Sequence, residues 1–311
     1  VNAVKYDGES STRKTVSSDT SLIGFRGAEQ LGGGLAAYFK LEHGFQVDTG
    51  TQSNATTFWN REAFVGLRDS KLGAVELGTH WSPFIFVTGK SDPFARAQTG
   101  AQQSMLSGHP ARGYTAQLSN SVLYAAPTFI EGLAIRAMAQ FPEDTPNENY
   151  AGSVEYTNDR LYVGLAMDSI EVAGATVGAP GAGFVHSRTT GLGVTYRFDM
   201  VKLFGYLQHN KVDTLSSGKG YLLGATVPIG LGEFRASWIE NKRDTGDASL
   251  FAIGYSYFLS KRTMVYTSAA LLDNSDGTRL AMFPSSQDMG TRVPALGQDI
   301  KGFQVGVRHL F

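Results

Sequence analysis

The residues of this chain that could do chemistry are isolated charged and histidine side chains within apolar, alternating segments. Lys40 and Glu42 are two residues apart in 34–45, and Glu76 and His80 are four residues apart in 73–81. Even spacing places such pairs on one face of a β-strand. Charges that recur on one face of successive strands favour a wetted, charged wall rather than a bond-making centre.

Signatures of bond-making chemistry are missing from the sequence. No Gly-x-Ser-x-Gly or His-Glu-x-x-His segment occurs, and the chain has no cysteine, so we expect no enzyme. The six histidines include no pair at metal-ligand spacing on one strand, and neither a metal nor another cofactor is expected. The glycines of 31–34 lack a following helix pattern and Gly-Lys-Ser/Thr, which favours a tight turn over a phosphate-binding loop. A net charge of −1 argues against nucleic-acid binding.

Strict alternation of apolar and polar residues runs along most of the chain. In 34–45, Leu35, Ala37 and Phe39 share one face, opposite Tyr38 and Lys40. This period of two is typical of a strand rather than a helix. Because no convincing helical period separates such segments, the chain is predicted to be all-β. Further alternating segments are 73–81, 132–141, 160–168, 191–198, 201–208, 220–227, 232–239, 249–258 and 301–311.

The connections between these segments alternate between short and long. Tight turns such as 230–232 are followed by long polar or Gly/Pro-rich connections, which include 83–117, 209–218 and 241–248. A transmembrane barrel sorts its connections in this way, with turns at one rim and loops at the other. No apolar run is long enough for a transmembrane helix.

Counting the segments predicts one sixteen-stranded antiparallel transmembrane β-barrel over residues 1–311. A cylinder of sixteen strands is too wide for side chains to fill. The apolar face of each strand should therefore contact outer-membrane lipid and the polar face should contact water. Phe311, at the end of the last strand, is expected on the lipid face.

Several segments resemble the general porins of Gram-negative bacteria, particularly the betaproteobacterial and neisserial branch. That family carries a Glu-x-Leu-Gly-x-Gly turn between two strands, the second of which ends in a Leu-Glu pair. The turn here is 29–34 and the pair is Leu41 and Glu42. Segments 60–83, 120–141, 257–271 and 306–311 resemble later hairpins and strands of the family, in the same order. The family's first strand usually begins about ten residues before the position of Val1.

The resemblance implies a homotrimer of barrels in the outer membrane of a Gram-negative bacterium. It also implies a third loop, here about 83–117, that folds inward and narrows each pore. Within it, Asp92-Pro93 predicts a turn beside the charges of Lys90 and Arg96. The expected function is passive diffusion of ions and small hydrophilic solutes. The alternative is a substrate-specific channel with a solute site on the third loop, which the sequence separates poorly from a general pore; an enzyme built on a barrel is disfavoured by the missing motifs.

Strand parity, the family pattern and the third loop together predict the pore-lining residues. Bases outnumber acids among them, so the wall should be modestly positive and bias the passage of anions. The family often has arginines where this chain has Leu22, Thr79 and Gln117, so a weak preference is expected. The predicted set is Lys40, Glu42, Glu76, His80, Arg136, Glu155, Lys202, Arg235 and Arg308 from parity, Arg61 from the family pattern, and Lys90, Asp92 and Arg96 from the loop.

The subunit contact is expected on the N-terminal third of the chain, roughly 20–82, with neighbouring residues at the chain's end. Small apolar side chains in this region suit close packing of strands better than contact with lipid. They are Ala36, Ala37, Ala63, Val65 and Val75.

Overall fold

A computed structural model describes residues 1–18, 20–106, 114–141, 143, 148–173, 183–213, 216–282 and 293–311. Its strands form one antiparallel sheet of 17 segments. They are β1 (Asn2–Tyr6), β2 (Arg13–Thr15), β3 (Leu22–Gly32), β4 (Leu35–Gly44), β5 (Ala63–Asp69), β6 (Gly73–Trp81), β7 (Gln117–Ala125), β8 (Leu133–Gln140), β9 (Asn149–Thr157), β10 (Leu161–Ala173), β11 (Phe184–Phe198), β12 (Val201–Val212), β13 (Ser216–Ile229), β14 (Gly232–Arg243), β15 (Ala248–Phe258), β16 (Thr263–Asn274) and β17 (Ile300–His309).

Each strand from β3 to β17 pairs with its neighbours in chain order, and β17 then pairs with β1, which pairs with β2. The successive antiparallel ladders make β2 and β3 run in the same direction, so we count them as two parts of one interrupted strand. The 17 segments then correspond to the sixteen strands predicted. Within the described residues no ladder joins β2 to β3, and β3 is exposed along nearly its whole length.

The two faces of the strands differ as the alternation predicts. On β10, Leu165 and Met167 are exposed on the outer face, whereas Ala166 and Asp168 are buried on the inner face. The same parity holds on β4, where it corrects one expectation. Ala36 is buried on the inner face and is not part of an outer contact surface. Phe311 follows β17 and is exposed.

Two loops predicted to be long are instead short connections between extended strands. β12 continues to Val212 and β13 begins at Ser216, so 209–218 belongs largely to a hairpin. Likewise, β14 extends to Arg243 and β15 begins at Ala248, so half of 241–248 belongs to these strands. Successive side chains there still alternate between the outer and inner faces, although they are polar. His209 and Lys211 are exposed, whereas Asn210 is buried. Backbone pairing continues at these polar strand ends because ladder hydrogen bonds need no apolar side chains.

Two helices in the connection between β6 and β7 were not predicted. Helix α1 (Pro83–Lys90) has Ser82 as its N-cap residue, and the Ser82 side chain accepts a hydrogen bond from the Phe84 N–H. The first residue of the helix is a proline. A serine N-cap and a proline at the first helical position are both common at helix N-termini. Helix α2 (Gln103–Leu106) is a single turn. Among the described residues, no helix is long and apolar enough to cross a membrane.

Two glycines in tight turns provide a test of the strand register. Gly132, before β8, has a φ of +81°, and a Cβ there would collide with the carbonyl oxygen of Thr157. Gly230, between β13 and β14, has a φ of +60° and open space around it. We expect Gly132→Ala to lower the urea midpoint of unfolding more than Gly230→Ala does. Gly230→Ala is the control variant, and its added Cβ meets no neighbouring atom. It is destabilised only by the left-handed backbone conformation, which costs a non-glycine residue roughly 1–2 kcal/mol.

The measurement is the heat-modifiable electrophoretic mobility of refolded protein across a urea series. Equal midpoints for the two variants would contradict the close approach of Thr157 to the turn.

Candidate pore constriction

The third loop is defined here as residues 83–117, of which 107–113 lie outside the described residues. Its described parts pack against the inner face of the sheet. Helix α1 contacts β8 to β11, and α2 contacts β14 and β15. Close approach is possible because the wall presents glycine where the loop touches it. A Cβ at Gly193 would lie 2.8 Å from the Cβ of Ser91, and one at Gly220 would lie 2.5 Å from Leu106. We call this set the glycine seat: Gly164, Gly191, Gly193, Gly220, Gly224 and Gly254.

Hydrogen bonds tie the loop to the wall at further points. The Thr99 hydroxyl donates to Ser268 on β16 at 2.8 Å. The side chain of Gln208 on β12 donates to the Leu106 carbonyl at 3.1 Å. At the loop's return, the Thr115 N–H donates to the carboxylate of Asp168 on β10 at 3.1 Å. The inward-folded third loop predicted from the sequence is therefore present and anchored on several strands.

Asp92 holds the loop's own backbone together. Its carboxylate accepts hydrogen bonds from the N–H groups of Phe94 at 2.9 Å, Arg96 at 3.1 Å and Gln102 at 2.9 Å. Burial raises the pKa of the Asp92 carboxyl, and these donors oppose that shift. Asp92 was predicted to line the constriction. Instead it is buried, because three backbone donors around a tight bend require an internal acceptor.

Arg96 also turns into the loop rather than toward open water. Its guanidinium donates to the side chains of Thr88 and Gln103, each at 3.1 Å, and to the Tyr114 hydroxyl. Tyr114 in turn stacks on Phe84 of α1, with ring centroids 4.8 Å apart. Burial lowers the pKa of Arg96 to about 10, and the charge of Asp92 opposes that shift. Asp92 and Arg96 thus brace the loop internally.

Lys90 at the end of α1 joins the wall at a buried carboxylate. Glu155 on β9 is only 1% exposed, and it accepts from Lys90 at 2.9 Å and from Arg136 of β8 at 2.5 Å. The Tyr162 hydroxyl donates to the same carboxylate at 3.0 Å. The Arg136 guanidinium also lies 4.0 Å from the ring centroid of Phe86. The acid is neutralised and covered, while its two basic partners remain accessible.

A second ion-pair cluster lies on the N-terminal wall. Lys40 on β4 contacts Glu42 at 2.8 Å and also pairs with Glu62, just before β5. The Arg61 guanidinium lies 3.7 Å from Glu42 and stacks over the ring of Trp81 at 5.0 Å. Lys40 and Glu42 were predicted from strand parity and Arg61 from the family pattern. In the structure these three residues lie together. Glu62 was missed because it lies outside the alternating segment.

Glu76 and His80 form part of the wall's packing. The Tyr38 hydroxyl donates to Glu76 at 2.5 Å. His80 is buried, stacks on Phe64 with centroids 5.0 Å apart, and bonds to the Ser121 hydroxyl at 2.8 Å. His80 was predicted to line the pore. The structure corrects this, because Phe64 and Ser121 cover its ring.

The other predicted residues lie apart from these clusters. Arg235 on β14 is nearly buried and donates to Glu233 at 3.1 Å and to Ser256 at 3.0 Å. Lys202 lies beside the ring of Phe204 at 4.7 Å. Arg308 is exposed near the end of β17 on the inner parity. The predicted set is thus spread along the barrel and not confined to one ring.

Five inner-face arginines of the described strands were missed by the sequence reasoning: Arg13, Arg26, Arg68, Arg197 and Arg243. Arg26 on β3 lies directly opposite Lys40 in the β3–β4 ladder. Arg68 on β5 lies over the ring of Tyr38 at 5.0 Å. All five follow the parity of the inner face, so applying the alternation along the whole of β2, β3, β5, β11 and β14 would have found them.

No group of three or more metal-binding side chains occurs in the described part of the chain. The described wall instead carries charged side chains, several of them in ion pairs, around the inward-folded third loop. A broad antiparallel wall with long loops at one end, tight turns at the other and a loop folded onto its inner face is the architecture of a porin, which is a channel rather than an enzyme.

Comparison with known proteins agrees with this class. A family profile described as Gram-negative porin matches residues 1–277. Outer membrane porin protein 32 of Delftia acidovorans is 31% identical over 317 residues, covering 96% of this chain and 86% of that protein. An outer membrane porin protein of Bordetella pertussis is 28% identical over 306 residues, covering 82% of this chain and 77% of that protein.

The solved structure of an anion-selective porin from Comamonas acidovorans superposes with a TM-score of 0.85 at 28% identity. The match covers 100% of this chain and 96% of that one. The chain therefore belongs to the Gram-negative porin family, and its place is the outer membrane. The resemblance drawn from the sequence is confirmed.

The glycine seat yields a prediction about the aperture. Gly193→Val places a branched side chain where Ser91 lies and should push α1 off the wall. Gly205→Val is the matched control, because it adds the same side chain to the neighbouring strand on the outer face, where the nearest atom lies 3.9 Å from the added Cβ. We expect Gly193→Val to change single-channel conductance and raise open-channel noise in planar bilayers, with Gly205→Val unchanged.

If a folded Gly193→Val variant had the same conductance and noise as the wild type, the position of the loop would not depend on this contact.

Proposed function

We propose that this porin is a passive diffusion channel with a weak preference for anions. The observation that carries the proposal is the unequal exposure of bases and acids where the third loop meets the wall. The Glu155 side chain is 1% exposed, whereas Lys90 is 47% and Arg136 is 22% exposed. A permeating ion in this region therefore meets accessible positive groups and a covered negative one.

The strand composition of the inner face supports the same sign. Parity and register assign more bases than acids to it within the described strands. The bases are Arg13, Arg26, Lys40, Arg68, Arg136, Arg197, Lys202, Arg235, Arg243 and Arg308. The acids are Glu42, Glu76, Glu155, Asp168 and Glu233.

Ion pairing limits the strength of the preference. Lys40 is shared between Glu42 and Glu62, and Arg61 lies near the same Glu42. Mobile salt screens the remaining charges over about 10 Å at 0.1 M. The structural relative from Comamonas acidovorans is anion-selective, which favours the same sign for this chain.

Removing one accessible base tests the preference. In a KCl gradient we expect a wild-type reversal potential that indicates anion preference. Lys90→Gln should shift it toward cations, while Arg136 continues to satisfy Glu155. The shift should be larger near 0.1 M than near 1 M salt, because screening weakens the field. Lys261→Gln, in the exposed turn between β15 and β16, is the control and should leave selectivity unchanged.

A wild-type channel that prefers cations would refute the proposed sign. An equal shift in both variants would show that net charge, not position in the constriction, controls selectivity.

The range of solutes distinguishes a general pore from a substrate-specific one. Liposome swelling with uncharged solutes of graded size should show permeation that declines steadily with size. One solute that permeates far better than its size allows would instead support a specific site on the third loop.

We further propose that the channel is a homotrimer that associates through the N-terminal third, roughly 20–82, together with neighbouring residues at the chain's end. An aromatic cluster on the outer face supports this contact. Phe25 and Trp59 have ring centroids 6.3 Å apart, and Phe58 and Trp59 have centroids 5.0 Å apart. Large side chains here, such as Ile23 and Phe25, are exposed. Small ones nearby, Ala37, Ala63 and Val65, leave room for a neighbouring barrel.

A charged substitution on this face tests the contact. We expect Val65→Arg to yield monomers in mild detergent, because an unpaired charge would be buried between subunits. Leu207→Arg on β12 carries the same change on an exposed outer position far along the sheet, and it should remain trimeric with the wild type. Native mass measurement or cross-linking gives the subunit number. A monomeric wild type would refute the proposal.

A further inference from the structure

Basic side chains gather on the outer face of β11 to β14, near one end of these strands. Arg188 on β11 lies directly opposite Lys211 on β12, and Lys219 on β13 lies directly opposite Lys242 on β14. His209 on β12 lies opposite Lys219 and connects the two pairs into one surface. All five side chains are exposed, and we call this set the basic band. Because like charges directly opposite each other destabilise a strand pair, the band is stabilised by any source of negative charge.

The two flanking members of the basic band have acidic partners. Arg188 forms an ion pair with Asp213 at 2.6 Å, and Lys242 forms one with Glu240 at 3.1 Å. Both basic side chains are still about half exposed, at 53% and 49%. Exposed ion pairs of this kind contribute little to stability. The two acids therefore offset the charge of the flanking bases and leave the charge of the central lysines.

The two central lysines, Lys211 and Lys219, form no ion pair within the described residues. Lys211 lies opposite Ser217 and Lys219 lies opposite His209, so the two lysines are diagonal neighbours on one face. Diagonal neighbours across a strand pair are about 7–8 Å apart. Long lysine side chains can converge over this distance on one anion, and phosphate is an anion that lysine commonly binds in proteins.

The basic band lies at the boundary between the apolar outer surface and the loop end of the barrel. Lys211 is one residue before the end of β12, and the tight turn at 199–200 lies at the opposite end of that strand. In a porin the tight turns are periplasmic, so the band faces the outer leaflet. Toward the turns, the outer face continues with Leu207 and Leu223, which are 53% and 63% exposed. Basic side chains beside such an apolar surface lie at the height of lipid headgroups.

The basic band is far from the proposed subunit contact. In the order of paired strands, β12 is eight strands from β4 and five from β17. Eight strands is half the circumference of a barrel of sixteen. A neighbouring barrel that contacts the N-terminal third and the chain's end therefore leaves the central lysines on the surface that faces lipid.

We propose that the basic band binds a phosphorylated lipid of the outer leaflet. A phosphate group lies between Lys211 and Lys219, and the acyl chains extend along the exposed leucines toward the turns. The lipid supplies the negative charge that the two lysines lack, and the apolar surface provides the contact for its chains. This is a role of the barrel's outer surface and is separate from conduction through the pore.

The test is native mass spectrometry of the full-length protein, refolded in detergent and titrated with bisphosphorylated lipid A. We expect the double variant Lys211→Gln, Lys219→Gln to bind this lipid at least about tenfold more weakly than wild type, because two headgroup contacts are lost. The double variant Lys211→Arg, Lys219→Arg keeps both charges and should retain binding. Heat-modifiable mobility verifies that each variant is folded.

Two lysines in tight turns provide the matched control. Lys71 lies between β5 and β6, and Lys261 lies between β15 and β16, both exposed at the opposite end of the barrel. The double variant Lys71→Gln, Lys261→Gln removes the same amount of charge and should bind lipid A as wild type does. Equal losses in this variant and in Lys211→Gln, Lys219→Gln would overturn the proposal in favour of nonspecific attraction by net charge.

The phosphate and the acyl chains are tested separately. Lipid A without its two phosphates should bind wild type weakly, and binding as tight as that of the phosphorylated lipid would overturn the role of the lysines. Inorganic phosphate at millimolar concentration should fail to displace bisphosphorylated lipid A, because the acyl chains contribute to binding. Displacement by inorganic phosphate would show a site for free anions instead of a lipid site.

A subunit contact at this surface would also overturn the proposal. The chain contains no cysteine, so Lys211→Cys introduces a single thiol. We expect no disulfide between subunits under mild oxidation. A disulfide-linked dimer formed in the folded oligomer would show that a neighbouring subunit, not a lipid, covers Lys211.

Discussion

The close packing of the third loop on the glycine seat is the contact on which the rest of this porin's interior depends. A loop that crosses a wide barrel has no core of its own and must gain its stability from the wall. Glycine lets backbone meet side chain there, so α1 and the bend around Asp92 lie within van der Waals distance of β10 to β15. Hydrogen bonds such as that from Thr99 to Ser268 then fix its position along the wall.

Burial of acids against this scaffold decides the electrostatics of the pore. A carboxylate removed from water needs charged or hydrogen-bonding partners. Asp92 obtains them from backbone N–H groups, and Glu155 obtains them from Lys90, Arg136 and Tyr162. Since the long basic side chains reach past the covered carboxylate, the same contacts that stabilise the loop leave positive charge in the water-filled space.

The sequence predicted the barrel well because membrane strands repeat with a period of two and their connections sort by length. Parity also placed Lys40, Glu42 and Arg136 on the inner face. It failed for His80 and Asp92, because parity gives the direction of a side chain but not what covers it. Helix α1 was missed although Ser82-Pro83 is a helix start, since its eight residues show no helical period of apolar residues. Within the third loop, tertiary contacts with the wall rather than local pattern set the structure.

The loop's helices rest on β8 to β11 and on β14 and β15, whereas the ion-pair cluster of Lys40, Glu42 and Arg61 belongs to β4 and the approach to β5. The obstacle in the channel and this part of its charged lining are therefore encoded in different stretches of the chain. Substitutions in the ion-pair cluster can therefore alter ionic preference without moving the obstacle. Substitutions in the loop, which carries Lys90, alter the obstacle and its own share of the charge together. Charge discrimination is thus adjustable at a fixed aperture, whereas the aperture is not adjustable free of charge effects.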